Sequence, residues 1–255
     1  MRKLSNNELT LFDRVIANPP FSQDGWWTPA ENSIEVKLDK NGREKKVSPN
    51  YNKVVSDPYG RFQYGVPPRG YADLAFLQHM IAVLKQDGKA GVVLPHGTLF
   101  RSGTEGKIRK ALLEADLVEG IVGLPSALFY NTGIPASIWI INKNKTDTQK
   151  GKVTIIDASS DFKDGKNQNE LLEEHVAKIV TAYDDAVDVD KYMRIVDVAE
   201  IADNEFNLNI SRFIDTSEPE PIVDIKAVHH KLAKLEEKEA DIDKKLDGFL
   251  KELGI

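Results

Sequence analysis

Four residues near the start of the chain, Asn18-Pro19-Pro20-Phe21, have the types and spacing to grip an amino group. They follow Leu11-Phe12-Asp13-Arg14-Val15-Ile16-Ala17, whose aromatic and β-branched character reads as a buried strand. Two consecutive prolines then forbid strand or helix, since each lacks the N–H and holds φ near −65°. The tetrad is therefore expected as a rigid loop leaving the carboxyl end of a strand, where open α/β sheets place their ligands. An exocyclic amine conjugated to a ring, such as N6 of adenine, is a poor nucleophile because its lone pair is delocalised. Two acceptors gripping its hydrogens free that lone pair for attack on an electrophilic methyl group, and they work best when preset. The Asn18 side-chain oxygen and the Pro19 carbonyl are candidate acceptors. Phe21 is a candidate stacking face, worth roughly 1–3 kcal/mol per base, for a base flipped out of its duplex. The same two-acceptor logic suits a glutamine amide, and as a bare tetrapeptide the motif is also an ordinary turn.

Composition narrows the classes. With 255 residues the chain can build one large or two small domains. The absence of cysteine excludes disulfides, thiolate metal sites and cysteine nucleophiles. The five histidines show no ligand spacing with carboxylates, so no metal is expected. There is no long apolar run and no signal-peptide pattern at Met1–Asn7, so a cytoplasmic protein without a membrane partner is expected. A net charge of −6 argues against a freestanding cationic DNA binder. Phosphate contacts would then come from a local patch or a partner.

The elements that must position the tetrad follow in order. The polar stretch to about Arg69 contains Trp26-Trp27, expected to pack rather than stack on bases, and Arg61 and Arg69, candidates for phosphate contacts. Asp57-Pro58-Tyr59 echoes the tetrad but has one proline and no preceding strand. Leu74, Phe76, Leu77, Met80, Ile81, Val83 and Leu84 fall on a helical period ended by Asp87-Gly88. Lys89–Pro95 reads as a buried strand, 105–115 as a helix capped by Thr104, and Val118–Pro125 as another strand. Ser102–Lys107 fails the spacing of a phosphate loop, and His96 sits at a strand end where it could line a cleft. Ile134–Ile141 and Val153–Ile156 supply two more strands. This alternation predicts an α/β fold with a mostly parallel sheet and an antiparallel hairpin at its edge. One amphipathic helix is expected around Leu171–Tyr183 in an otherwise polar region. Ile225, Val228, Leu232, Leu235, Ile242, Leu246, Phe249 and Leu253 step by threes and fours, with Glu239 interrupting. They predict a heptad helix roughly 45 Å long that needs a partner helix, on another chain or on its own domain.

Together with the tetrad, Ala72–Met80 and Val93-Leu94-Pro95-His96-Gly97-Thr98-Leu99-Phe100-Arg101 give the chain a specific likeness. Val122–Pro125, Thr132–Pro135 and Asn207-Leu208-Asn209-Ile210-Ser211-Arg212-Phe213 extend it in the same order. The chain resembles the C-terminal half of the modification subunit of type I restriction–modification systems. The resemblance implies N6-adenine DNA methylation from S-adenosylmethionine on a Rossmann-like methyltransferase sheet. It carries the catalytic motif onto Asn18, Pro19, Pro20 and Phe21, and implies DNA, a specificity subunit, a second modification subunit and a restriction subunit as partners. The family carries a glycine-rich methyl-donor loop well before its tetrad, whereas 17 residues precede Asn18 here. A partial sheet, later strands only, is therefore expected, with the main donor-binding loop absent and the chain inactive alone. The expected division is a catalytic half over 1–160, a polar extension over 161–221 and a docking helix over 222–255. A non-catalytic assembly module that binds a specificity subunit through that helix is the alternative.

Overall fold

The computed structural model describes residues 9–27, 35–47, 57–130, 132–217 and 224–254. They fall into two compact units, Met1–Thr216 and Ser217–Ile255. The first is built on a six-stranded sheet of order β1-β4-β6-β5-β7-β8, with β1 Phe12–Ala17, β4 Leu84–Pro95, β5 Val118–Gly123, β6 Ala136–Asn142, β7 Lys152–Asp157 and β8 Met193–Asp197. A separate hairpin, β2 Glu35–Leu38 with β3 Glu44–Val47, turns through Gly42 at φ 74°. It occupies part of the stretch read as a long loop.

β1 runs parallel to β4, and β5 parallel to β7, while β6 is antiparallel to both β4 and β5 and β8 is antiparallel to β7. Strands β1, β4, β5 and β7 thus point the same way, which puts the loops after the first three at one end of the sheet. The expected edge hairpin is corrected here. β6 lies in the interior and does not pair with β7; only β8 is an antiparallel edge. The continuous apolar run Ile138-Trp139-Ile140-Ile141 is the reason, since Trp139 and Ile141 are fully buried and need strands on both sides. β8 and the helix α3, Glu173–Asp185, lie beyond residue 160 yet belong to this first unit.

The helix α1, Asp73–Ala82, buries Leu74, Leu77 and Ile81, and α2, Thr104–Glu114, buries Ile108, Leu112 and Leu113; all six join the core of β1, β4, β5 and β6. α1 is shorter than its period suggested. Phe12 N–H takes the Val83 carbonyl at 2.8 Å and Leu84 pairs with Phe12, so the chain leaves the helix for the sheet before Asp87-Gly88. Thr104 is the first helical residue rather than the cap; Gly103, at φ 71°, takes the cap position without a side-chain bond. A short helix α4, Val198–Asp203, follows β8. The second unit is α5, Ile225–Glu252, whose seam residues from Ile225 to Phe249, except Glu239, are exposed apolar side chains, as is Leu253 just beyond it. Ile222, read as the start of that helix, lies outside the described residues. Among the described residues no helix is long and apolar enough to cross a membrane.

Candidate active site

The tetrad leaves β1 at the end of the sheet shared by the loops after β4 and β5. β1 pairing stops at Ala17, opposite Val92; Asn18 is exposed, Pro19 buried, Pro20 exposed and Phe21 half-buried. The Asn18 carboxamide takes no hydrogen-bond partner among the described residues, so its oxygen is available to an incoming donor. Phe21 meets the edge of Phe129, with ring centroids 5.3 Å apart and planes at 72°. Phe129 belongs to the loop after β5 and escaped sequence reading, because no spacing links it to the tetrad.

The loop closes on Ser22, which sits in the left-handed region at φ 49°. That conformation costs a non-glycine residue about 1–2 kcal/mol, and a buried carboxylate offsets it. Ser22 N–H donates to Asp73 Oδ1 at 2.7 Å and its hydroxyl donates to Oδ2 at 3.5 Å. Asp73, fully buried in the first turn of α1, also accepts Arg101 Nη1 at 3.0 Å. Arg101 Nη1 donates to Glu105 at 3.0 Å as well, and the guanidinium lies 4.3 Å from the centre of the Tyr71 ring. Burial raises the Glu105 carboxyl, and Arg101 pulls against that shift. The guanidinium also covers Gly97, where an added Cβ would come within 2.7 Å of Nε and Nη2.

Further bonds tie the following segment to α1. Ala72 N–H reaches the Gln23 carbonyl at 3.2 Å, Gly25 N–H the Arg69 carbonyl at 3.0 Å, and Trp26 Nε1 the Pro68 carbonyl at 2.8 Å. Trp27 is buried and Trp26 packs on Phe62 at 5.4 Å, so both tryptophans pack. Arg61 pairs with Asp57 and lies over the Tyr59 and Phe62 rings, and Arg69 is exposed. Asp57 organises its own turn, accepting Phe62 N–H at 2.8 Å.

After β4, a single turn over His96–Leu99 carries the third motif. Thr98 Oγ1 donates to the Pro95 carbonyl at 2.9 Å and accepts from Trp139 Nε1 at 3.2 Å. Arg109 donates to the carbonyls of Thr98, Arg101 and Phe206. Its burial lowers its pKa to about 10. Leu208 N–H bonds the Leu99 carbonyl at 2.9 Å, and His96 Nε2 lies 3.4 Å from Asn209 Oδ1. His96 thus contacts the Asn207–Phe213 segment, and among the described residues no hydrogen bond or ring pair joins it to the tetrad.

The protein-family model for N-6 DNA methylases matches residues 2–221. The methylase subunit of the type I restriction enzyme MjaVIII of Methanocaldococcus jannaschii is 37% identical over 244 residues, 94% of this chain and 38% of the relative. The HindI methylase subunit of Haemophilus influenzae is 33% identical, over 93% of this chain and 51% of its own. A crystal structure of a type I restriction–modification methyltransferase subunit from Streptococcus thermophilus is 39% identical and superposes with a TM-score of 0.65, covering 81% of this chain and 39% of that one. The chain spans about two fifths to one half of the length of these relatives. With its tetrad at a strand end, and a family match over most of its length, the chain belongs to the N-6 DNA methylases.

Proposed function

We propose that the chain carries the amino-group side of a DNA adenine-N6 methyltransferase within a type I restriction–modification complex. One observation carries the reading: an exposed Asn18 carboxamide, without a hydrogen-bond partner among the described residues, on a double-proline loop at the carboxyl end of a parallel strand, beside the aromatic pair Phe21–Phe129. Asn18 Oδ1 and the Pro19 carbonyl accept the two amino hydrogens of the adenine, and Phe21 supports the flipped base. S-adenosylmethionine supplies the electrophilic methyl group. The described residues fit the acceptor half of such a site, since they offer free oxygen acceptors and an aromatic wall.

The donor half is added at the open side of β1. This strand pairs on one side only among the described residues, and Ile16, two residues before the tetrad, is 94% exposed. An apolar groove of about 230 Å³ lies alongside, lined by Leu9, Phe12, Val15, His79, Met80 and Val83. A further segment, such as the longer relatives carry, covers this edge and brings the donor loop. DNA, the specificity subunit, a second modification subunit and the restriction subunit are the partners of the complex, and its place is the cytoplasm.

The test incubates the purified chain with labelled S-adenosylmethionine and adenine-containing DNA, alone and with full-length partner subunits. Label in N6-methyladenine only with partners present is expected, and Asn18→Ala abolishes it. Robust turnover by the chain alone refutes incompleteness; label on a protein glutamine instead of DNA refutes the substrate. The exposed apolar seam of α5 favours a second reading, a non-catalytic module that docks a specificity subunit. Removing residues from Ile222 onward then abolishes association, and unchanged binding sinks that reading.

A further inference from the structure

We infer that Asp73 and Arg101 are positioning residues for the amino-group clamp, acting on Asn18–Phe21 through Ser22. The inference rests on the reading of Asn18–Phe21 as that clamp. The prolines fix φ at two positions but leave the direction of the Asn18 carboxamide and the Pro19 carbonyl to whatever holds the loop ends. One end is the last β1–β4 pair, Ala17 with Val92. The other is Ser22, whose backbone N–H is held 2.7 Å from Asp73 Oδ1.

The buried carboxylate is specific to that task. A fully buried charge is costly unless paired, and a structural site would be served as well by apolar packing. Asp73 instead divides its oxygens between the loop and one cation. Oδ1 takes Ser22 N–H, while Oδ2 takes Arg101 Nη1 and the Ser22 hydroxyl. Arg101 is fixed in turn on its other sides, by Glu105 at 3.0 Å, by the Tyr71 ring at 4.3 Å and by bare Gly97. Its Nη2 lies 3.5 Å from Ser22 Oγ. A planar guanidinium satisfies this set and an ammonium does not. A latch of this kind presets the acceptors before substrate arrives, and in such geometries a displacement of about 1 Å costs about 100-fold in rate.

The full chain is compared with Asp73→Asn, Asp73→Ala, Arg101→Gln and Arg101→Lys. Amide hydrogen exchange is followed in the peptide spanning residues 18–25 and in β5 and β6. Exchange of the loop is expected to quicken at least tenfold in Asp73→Ala and Arg101→Gln, with β5 and β6 unchanged. Asp73→Asn, which keeps shape and an acceptor while losing charge, gives an intermediate value if Asp73→Ala fails to fold. Methyl transfer with partner subunits present is expected to lose 10- to 100-fold in kcat, with KM for DNA and donor within threefold, and Arg101→Lys to recover only part. Unchanged loop exchange overturns the inference, as does a raised KM with kcat intact, which marks a substrate contact. Absence of DNA methylation by the wild-type assembly refutes the functional reading instead, and loop exchange alone then decides whether the latch exists.

Discussion

Replacing Gly123 by alanine probes how the end of β5 is joined to Asn207–Phe213. An ideal Cβ at Gly123 would stand 2.5 Å from Ile210 Cδ1, a separation that real atoms do not tolerate, while the next neighbours are at 3.6 Å or beyond. Ile210 is itself buried in the core, so its side chain cannot swing into solvent. Overpacking of this kind costs about 1–3 kcal/mol. Ile210→Val removes the offending methyl and alone costs about 0.5–1.5 kcal/mol. If the overlap is the cause, the double variant is no less stable than Ile210→Val alone, a coupling equal to the whole cost of Gly123→Ala, about 1–3 kcal/mol. Urea unfolding followed by tryptophan fluorescence reads this cycle cleanly, because Trp26, Trp27 and Trp139 all lie in the first compact unit. Additivity within about 0.5 kcal/mol refutes the reasoning.

Glu119 is buried at the other end of β5, where it accepts bonds from Tyr183, Asn142 and Lys89. Burial pushes its carboxyl up, but those bonds outweigh it and hold the carboxyl below its ordinary value. The stability it contributes is present above the unfolded value of about 4.3 and is lost as pH falls through the folded one. Unfolding between pH 5 and pH 3 should therefore weaken the wild type more than Glu119→Gln; parallel curves refute the link. At neutral pH that variant costs about 1–3 kcal/mol through unsatisfied donors, measured by the same denaturation. Ile16→Lys, on the exposed edge, changes stability by less than about 0.5 kcal/mol. Urea denaturation checks this, and a large loss of stability shows that Ile16 is packed.

Much of the fold was legible because its signals are local. The strand before Asn18, the helical period of Leu74, Leu77 and Ile81, and the apolar run of β6 each announce an element within ten residues. Strand order was not, because the connection into β6 says nothing about which gap it fills; only the need to bury Trp139 on all sides does. In the same way the tetrad was visible and its neighbours were not. Phe129 is an unremarked aromatic in a loop, and Asp73 looks like an ordinary acidic residue in a first helical turn. Their contacts join parts of the chain that only tertiary packing brings together.

The placement of the tetrad explains why so many separate sequence features surround it. β1 is the outermost strand, with β4 as its only described neighbour, so its pairing supports the loop from one side alone. Edge strands are the most easily opened part of a sheet, whereas the proposed clamp of two oxygens would need a fixed geometry. The missing support comes from the helix and turn that follow. Asp73 at the start of α1 and Arg101 after β4 close on Ser22, and Gly97 stays bare so that the guanidinium can lie flat. Arg109 holds the carbonyls of Thr98 and Arg101 from beneath, and Leu208 pins the Leu99 carbonyl. The segments Ala72–Met80, Val93–Arg101 and Asn207–Phe213 therefore form one packed support whose upper surface is the loop. The same edge position leaves Ile16, two residues before the tetrad, exposed. Rigidity from behind and openness in front are what the proposed amino-group clamp requires: fixed acceptors on one side and access for a substrate on the other.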